Sequence, residues 1–262
     1  MQNKDAEMNL MSRLRAVLFA ALSLCALPLL AAELPDTLAR VKPGVVGVGT
    51  LQQLRRPPFL MMGTGFVVAD GRHLITNAHV LPPVLDVEKQ EVMAVVIGVG
   101  EAAQIRTVQR VAVDQAHDLA LLRMDGSPLP AFKLSSKGAR EGEAYVFTGF
   151  PIGAVLGPYP VTHHGWVSAI TPVAIPADQS RRLDAAAIKR LRQPFFVYQL
   201  DATAYPGNSG SPLYEPNTGL VVGVLNSVFV KESKESVLSA PSGISYAIPI
   251  SHVRDLLKAN GL

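Results

Sequence analysis

Short apolar runs separated by turn residues fill the chain from residue 45 onward. Runs of this kind, bounded by Gly, Pro and Asp, are typical of antiparallel strands in sandwiches and barrels. The Pro- and Gly-containing segment 125–130 interrupts the series, and we interpret it as the connection between two β-units. The runs predicted as strands are 45–50, 66–68, 73–77, 92–99, 106–113, 119–124, 143–147, 165–170, 198–201 and 220–224.

Helical spacing replaces this pattern in three places. A short helix is predicted around 36–41, and an amphipathic helix at 251–260 is followed by Gly261 as its cap. The segment 177–192 combines apolar residues at helical spacing with a crowded basic face. Two interpretations of 177–192 stay open: a solvated helical insertion, or a basic lid that gates a cleft or binds an anionic partner.

Residues 55–62 (RRPPFLMM) are predicted to form a loop with unusual apolar content. Phe59 and Leu60 either fold back onto the neighbouring β-unit or offer a surface for oligomerisation or regulation. The sequence leaves both interpretations open.

The composition describes a globular protein with ample core. Of 262 residues, 48% are hydrophobic and 17% are charged, which excludes a disordered chain. The formal net charge of +3 is small, so it predicts neither nucleic acid nor an acidic surface as a partner.

Residues 1–32 have the composition of a targeting segment. Arg13 and Arg15 precede an uncharged run at 16–32 that ends in two alanines. We predict a cleaved signal peptide, with a retained anchor formed by residues 16–32 as the alternative. The remaining domain, 33–262, has its β-units at about 44–125 and 137–250 and contains no cysteine. A secreted domain without disulfides suits a bacterial periplasm, so the predicted location is periplasmic or secreted.

Ser209 lies between glycines in the segment 207–212 (GNSGSP), which two predicted strands flank. A serine hydroxyl is a poor nucleophile unless a base activates it and N–H donors stabilise the oxyanion. Gly207 and Gly210 permit a bent backbone in which amides of the turn converge. We therefore predict Ser209 as a nucleophile, with an oxyanion hole at Gly207, Asn208 and Ser209 whose donors are the N–H groups of Gly207 and Ser209.

A base and a carboxylate precede the serine, each beside a predicted strand. His79 lies in the segment 73–80, directly after a run that ends in Ala78, and Asp118 opens the run 118–122. The order His, Asp, Ser is that of the chymotrypsin arrangement and differs from those of α/β-hydrolases and subtilisins. Each motif alone is weak, because a lone His or Asp beside a strand is usually structural, but the three together predict a catalytic triad.

These motifs resemble those of trypsin-like serine peptidases of the HtrA (Deg) type, over residues 45–250. The resemblance implies an all-β fold of two antiparallel six-stranded β-barrels, with the triad in the cleft between them and a C-terminal helix. Only 13 residues follow Pro249, so the PDZ domain typical of HtrA enzymes is not expected. The matching segments are 63–68 (GTGFVV), 76–80 (TNAHV), 117–121 (HDLAL), 149–153 (GFPIG), 207–210 (GNSG) and 244–249 (ISYAIP).

Two residues of the serine turn depart from relatives of the proposed family. Asn208 stands where digestive trypsins have Asp, so activation by a new N-terminal ammonium is not expected. Ser211 replaces a glycine that is common two residues after the nucleophile, which requires Ser211 to have a negative φ.

Substrate specificity is expected from positions near the serine and from two strands that the resemblance places beside it. None of these positions carries an acid, so we predict small or medium apolar substrate side chains. The predicted substrate-binding residues are Thr203, Asn226, Ser227, Val228, Ser245 and Tyr246. No metal or other cofactor is predicted, because His163 and His164 would face opposite sides of a strand.

Three functions fit the sequence. The first is a periplasmic serine endopeptidase that acts on unfolded or exported proteins, which is compatible with protein quality control. The second is a catalytically silent protease-fold binding module or chaperone. The third is a membrane-tethered processing enzyme, which requires that residues 16–32 be retained. The predicted partners are polypeptides and not nucleic acid, a membrane only in the third case, and a homo-oligomer is compatible with all three.

Overall fold

The computed structural model describes residues 33–153, 157–172, 195–226 and 243–262. The predicted targeting segment 1–32, the basic segment 177–192 and the predicted substrate-binding residues Ser227 and Val228 lie outside the described residues.

The first β-barrel closes six antiparallel strands in the order β1-β2-β3-β6-β5-β4. A short helix α1 (Leu34–Val41) precedes it. The strands are β1 (Val45–Leu51), β2 (Phe59–Val68), β3 (His73–Thr76), β4 (Val92–Ile97), β5 (Gln104–Asp114) and β6 (Leu119–Met124).

The second β-barrel has the order β10-β11-β12-β9-β8-β7. Its strands are β7 (Ala144–Gly149), β8 (Val161–Pro172), β9 (Phe196–Asp201), β10 (Pro212–Tyr214), β11 (Val221–Asn226) and β12 (Ile244–Pro249). The chain then enters α2 (Ile250–Ala259). The predicted fold class, two six-stranded antiparallel barrels with a C-terminal helix, is confirmed.

Strands of the first barrel are apolar on both faces because they have two surfaces to bury. Alternate residues such as Val46, Val67 and Leu122 fill the barrel interior. Their neighbours Val45, Phe66 and Leu121 belong to a second cluster, which includes Val146, Tyr214 and Ile248 of the other barrel. The continuous apolar runs of the sequence thus reflect two cores, one inside the barrel and one between the barrels.

Helix α2 closes the core between the barrels. Its spacing buries Val253, Leu256 and Leu257, and it begins one residue earlier than predicted. Gly261 has a φ of 76°, and its N–H and that of Leu262 donate to the carbonyls of Lys258 and Leu257 at 3.2 and 3.0 Å. This is a Schellman termination, which needs a residue that tolerates the left-handed region.

Two details differ from the sequence-based expectation. The predicted loop at 55–62 ends at Pro58, because β2 begins at Phe59 and pairs Phe59 with Leu51 and Leu60 with Thr50. The apolar residues there therefore belong to a strand. His117 adjoins Asp118 and would face the opposite side of an extended segment, which predicts a surface position. In the structure it is half-buried and stacks on His252 of α2 with ring centroids 3.9 Å apart.

Among the residues described, no helix has the length and apolar character needed to cross a membrane.

Candidate active site

The backbone carbonyl of Asp118 accepts two hydrogen bonds that hold this residue in the turn before β6. Strands β3 and β6 are neighbours in the first barrel, so the residues after β3 meet the residues before β6. The Asp118 carbonyl accepts the Ala78 N–H at 3.1 Å and the Asn77 side-chain Nδ2 at 3.0 Å. Asp118 has a φ of 53°, in the left-handed region that Asp tolerates better than most residues.

The Asp118 carboxylate holds His79 through two contacts. Oδ2 lies 2.6 Å from the His79 Nδ1, and Oδ1 accepts the His79 backbone N–H at 2.9 Å. Because Nδ1 faces the carboxylate, the imidazole presents Nε2 on its other side. A third donor, the Asn226 side-chain Nδ2, reaches the same Oδ2 at 2.6 Å. The arrangement fixes the orientation of the imidazole ring.

Ser209 lies in the turn between β9 and β10 and is only 4% exposed. Its carbonyl accepts the N–H of Thr64 from the first barrel at 2.8 Å, and the Gly210 N–H donates to the Leu225 carbonyl at 2.9 Å. Gly210 has a φ of 87°, and a Cβ there would lie 2.0 Å from the Thr64 carbonyl oxygen. The glycine after the serine is therefore required by both conformation and space.

The histidine and serine segments meet at Gly63. A Cβ on Gly63 would lie 2.7 Å from Val80, which adjoins His79, and 3.1 Å from the Ser209 carbonyl oxygen. On the other side, Leu225 binds the serine turn while its neighbour Asn226 binds Asp118. The three predicted triad residues thus lie on segments that converge where the two barrels meet.

The peptide before Gly207 has a fixed orientation. The Pro206 carbonyl accepts the Ile152 N–H at 2.7 Å, so the Gly207 N–H of the same trans peptide points the opposite way. Among the described residues, this N–H has no hydrogen-bond acceptor. Gly207 has a φ of 96°, and its missing Cβ would lie 2.3 Å from the Phe150 carbonyl oxygen.

The other residues of the predicted oxyanion segment have different environments. The Asn208 N–H donates to the Tyr205 carbonyl at 3.0 Å, within the turn itself. The Asn208 side chain is fully buried, and neither polar atom of its amide has a partner among the described residues. Ser211 does not have a positive φ, as is required of a serine in a position where relatives commonly have glycine.

Of the described residues predicted to bind substrate, Thr203 and Tyr246 are partly exposed, whereas Ser245 and Asn226 are fully buried. Thr203 is half-buried between β9 and the serine turn, and Tyr246 pairs with Asn226 across β11 and β12. Ser245 is fully buried, and its Oγ has no partner in the described part of the chain. The Asn226 side chain contacts the Asp118 carboxylate, a contact that the sequence-based assignment to substrate binding did not anticipate.

His163 of β8 is a packed residue. Its ring stacks on Phe147 with centroids 5.0 Å apart, whereas His164 on the opposite face of β8 is exposed. Burial lowers the pKa of His163, so its imidazole is neutral at pH 7.

Three contributors to this site were missed from the sequence alone: Thr64, Asn77 and the side-chain role of Asn226. Thr64 and Asn77 lie inside the motifs 63–68 and 76–80. A signal was therefore present, since both are polar residues within motifs that the sequence already marked as part of the site. Nothing local identifies their partners, which are 143 and 41 residues away.

Two closed six-stranded barrels that meet at a His–Asp pair and a glycine-flanked serine define the trypsin-like class of fold. A sequence model of the trypsin-like peptidase domain family matches residues 63–224, which is more than half of the chain. The chain belongs to this family.

Similar proteins place it beside the HtrA and DegP proteases. It is 30% identical over 207 residues to a probable periplasmic serine endoprotease, DegP-like, of Pseudomonas putida, covering 76% of this chain and 35% of the relative. The relative of the same name from Pseudomonas fluorescens is 27% identical, over 88% of this chain and 51% of its own length. The chain therefore spans about a third to about half of these curated relatives.

Solved structures show the same fold. The serine endoprotease of Yersinia pestis superimposes with a TM-score of 0.60 at 22% identity, over 87% of this chain and 66% of that one. The HtrA-type protease AlgW, solved with a tripeptide, gives a TM-score of 0.60 at 25% identity, over 87% and 63% of the two chains. The resemblance to the HtrA type that the sequence motifs indicate is confirmed.

Proposed function

We propose that this protein is a serine endopeptidase of the HtrA type, in which His79, Asp118 and Ser209 form the catalytic triad. The observation that carries the proposal is the 2.6 Å contact between the Asp118 carboxylate and the His79 Nδ1. It occurs in a trypsin-like fold and beside a turn whose serine is flanked by glycines. An imidazole oriented in this way is the base that a serine nucleophile requires.

In the proposed reaction, the Ser209 Oγ attacks the carbonyl carbon of a peptide bond while the His79 Nε2 takes the hydroxyl proton. The resulting imidazolium is stabilised by Asp118 and then protonates the leaving amine as the C–N bond breaks. Water next attacks the ester of the acyl-enzyme, with His79 again as the base. The carboxylic acid product leaves and Ser209 regains its proton.

The negative oxygen of each tetrahedral intermediate would be received by the N–H groups of Gly207 and Ser209. The orientation of the Pro206–Gly207 peptide supports this assignment for Gly207. Removal of one such donor in comparable sites costs about 3–4 kcal/mol of transition-state stabilisation. Asn208 would contribute by spacing the two donors, because its own N–H is used within the turn.

We propose polypeptides as substrates, specifically unfolded or exported proteins with small or medium apolar side chains at the cleavage site. Two observations support this: the relatives named as periplasmic endoproteases, and the absence of any acid among the predicted substrate-binding residues. Thr203, Tyr246 and the segment that includes Ser227 and Val228 are the residues proposed to contact the substrate.

A periplasmic location is part of the proposal, with residues 1–32 as a cleaved signal peptide. The supporting observations are the charge and apolar pattern of that segment and the names of the relatives. Sequencing the N-terminus of the protein recovered from a periplasmic fraction tests it. A mature chain that starts near residue 33 is expected, and a membrane-bound chain that retains residues 16–32 would contradict it.

Reaction with a fluorophosphonate probe tests the catalytic assignment. The wild-type protein is expected to be labelled at Ser209, as located by mass spectrometry of its peptides, and to cleave an unfolded protein such as reduced casein. Ser209→Ala should abolish both. Ser211→Ala is a matched control, because it removes a serine hydroxyl two residues away and should leave both unchanged. An unlabelled but folded wild-type protein would favour a silent binding module or chaperone.

A further inference from the structure

Thr64 belongs to the first barrel but is bonded to the turn of the second barrel that carries Ser209. It lies in β2 and is completely buried. Its N–H donates to the Ser209 carbonyl at 2.8 Å, and its hydroxyl Oγ1 donates to the Gly207 carbonyl at 2.7 Å. One side chain and its backbone thus bond to two of the three residues in the predicted oxyanion segment.

The bond that the Thr64 hydroxyl donates to the Gly207 carbonyl acts on the peptide after Gly207. A planar trans peptide leaves only the two dihedrals of each residue free, so fixing the Gly207 carbonyl fixes the ψ of Gly207. Glycine is the residue most able to rotate here, because it lacks a Cβ and already occupies a φ of 96°. The Thr64 hydroxyl therefore restrains the most flexible residue of the turn.

The bond that the Thr64 hydroxyl accepts from the Phe150 N–H acts, through the turn at Phe150, on the peptide before Gly207. The same Thr64 Oγ1 accepts the Phe150 N–H at 3.0 Å, which holds the start of the turn formed by Phe150 and Gly153. Within this turn, Ile152 has a φ of 47°, uncommon for a β-branched residue, and its N–H holds the Pro206 carbonyl at 2.7 Å. Both peptides that flank Gly207 are thus held through one hydroxyl.

We infer that Thr64 is a positioning residue for the oxyanion hole: its buried hydroxyl, by donating to the Gly207 carbonyl and accepting from the Phe150 N–H, sets the direction of the Gly207 N–H. The inference rests on the proposed function. The Thr64 carbonyl also accepts the Thr76 hydroxyl at 2.7 Å, and Thr76 leads into the segment of His79. Thr64 therefore positions the oxyanion donor relative to the base as well.

The chemistry of the side chain makes the inference testable. The site needs a group that donates one hydrogen bond and accepts another, which Ser can provide and Val cannot. Valine has nearly the same shape as threonine, so Thr64→Val removes the two bonds without creating a cavity. It leaves the partly buried Gly207 carbonyl and the buried Phe150 N–H without the Thr64 hydroxyl as a partner, so that the peptides beside Gly207 are free to turn.

The experiment compares the steady-state hydrolysis of a peptide ester and the rate of fluorophosphonate labelling for wild type, Thr64→Val and Thr64→Ser. For Thr64→Val we expect kcat and the labelling rate to fall about a hundredfold while KM changes less than about threefold, because the lost interaction serves only the transition state. Thr64→Ser should restore kcat to within about threefold of wild type. Ser211→Ala removes another buried hydroxyl, one that has no partner among the described residues, and should leave kcat unchanged.

Each outcome decides between the alternatives. If Thr64→Val keeps kcat within about threefold of wild type, the inference is overturned although the enzyme assignment stands. If kcat falls only in proportion to the active-site concentration found by burst titration, Thr64 is merely structural and the inference also fails. Should Thr64→Val not fold, Thr64→Ala, which adds no apolar group at the site, replaces it with the same expectation. A wild-type protein that is not labelled at Ser209 contradicts the proposed function itself.

Discussion

The two barrels contribute to the candidate active site in different ways. The half in the first barrel, His79 and Asp118, is held by bonds within that barrel, from Ala78, Asn77 and the His79 backbone. The half in the second barrel, the turn of Ser209, is held by Leu225 and Ile152 of its own barrel and also by two bonds from Thr64 of the first barrel. The acid–base pair is thus largely self-contained, whereas the nucleophile depends in addition on the contact between barrels.

Strand order explains this difference. The segments of His79 and Asp118 extend from β3 and β6, which are neighbours in the first barrel. The serine turn connects β9 and β10, which are not neighbours, since β11 and β12 lie between them. A connection that crosses the end of a barrel has few ladder hydrogen bonds of its own, so its carbonyls need partners from elsewhere.

The largest effect on kcat is expected when the His79–Asp118 pair of the first barrel is disrupted. Asp118→Asn should lower kcat about ten-thousand-fold, because an amide in this position favours the wrong tautomer of His79. Asp114→Asn is a matched control, since Asp114 makes the same 2.6 Å contact to the Nδ1 of His117 outside the triad. Hydrolysis of a peptide ester measures both variants. Loss of activity in Asp114→Asn comparable to that in Asp118→Asn would contradict the distinction between the two pairs.

The next largest effect is expected from a substitution that disrupts the contact between Thr64 and the serine turn. Gly210→Ala would place a Cβ 2.0 Å from the Thr64 carbonyl oxygen, at a φ of 87°. Strain in the left-handed region costs about 1–2 kcal/mol and the added crowding about 1–3 kcal/mol more. The free energy of unfolding, measured with urea, should therefore fall by roughly 2–5 kcal/mol, with loss of activity.

Gly142→Ala isolates the conformational part of that loss. Gly142 has a φ of 83° but no atom within 4 Å of the position of a Cβ. This variant should lose only about 1–2 kcal/mol and keep its activity. Equal losses at the two glycines would show that the approach of Thr64 to the serine turn does not restrict residue 210.

Asn226 is the exception in the comparison, because it belongs to the second barrel yet donates to Asp118. Asn226→Ala removes one of the donors to the carboxylate and should lower kcat about tenfold, as expected for a hydrogen bond to a charged group. Steady-state kinetics separate this role from the one predicted from sequence. A rise in KM at unchanged kcat would indicate substrate binding in place of positioning.

The sequence predicted those features that local pattern determines. The short apolar runs between turn residues indicated strands, and the motifs around His79, Asp118 and Ser209 indicated the site. The start of β2 was missed because Phe59 follows two prolines, and only its pairing with Leu51 shows that it belongs to a strand. Local pattern was not sufficient where long-range pairing decides the conformation.

Long-range contacts account for what was missed in the site. The bond from Thr64 to Gly207 joins residues 143 apart, and that from Asn226 to Asp118 joins residues 108 apart. Which strands face each other across the barrels decides these partners, and the sequence near each residue carries no such information. The same holds for His117, whose partner His252 lies in the C-terminal helix.

The smallest effect tests whether the first barrel stabilises its own loops. Glu91 lies at the end of the loop that follows His79, just before β4. Its carboxylate accepts hydrogen bonds from the Thr50 hydroxyl at 2.7 Å, the Asp86 N–H at 3.1 Å and the Arg55 guanidinium at 2.8 Å. The Thr50 hydroxyl, followed by the Asp86 N–H and Arg55, lowers the pKa of Glu91. A carboxyl with a lowered pKa stabilises the folded state above its unfolded pKa of about 4.3, and this contribution is lost as the pH falls through the folded value.

Glu91→Gln should therefore lower the Tm at pH 7 by about 2–4 °C, equivalent to about 1 kcal/mol for a protein of this size. The difference from wild type should shrink as the pH approaches 3, because the wild-type carboxyl is then protonated as well. Glu88→Gln changes an exposed carboxylate of the same loop and should show neither effect. Calorimetry at both pH values measures the Tm, while kcat at pH 7 should stay unchanged. A difference in Tm that persists undiminished at pH 3 would mean that the shape of the Glu91 side chain, and not its charge, holds the loop.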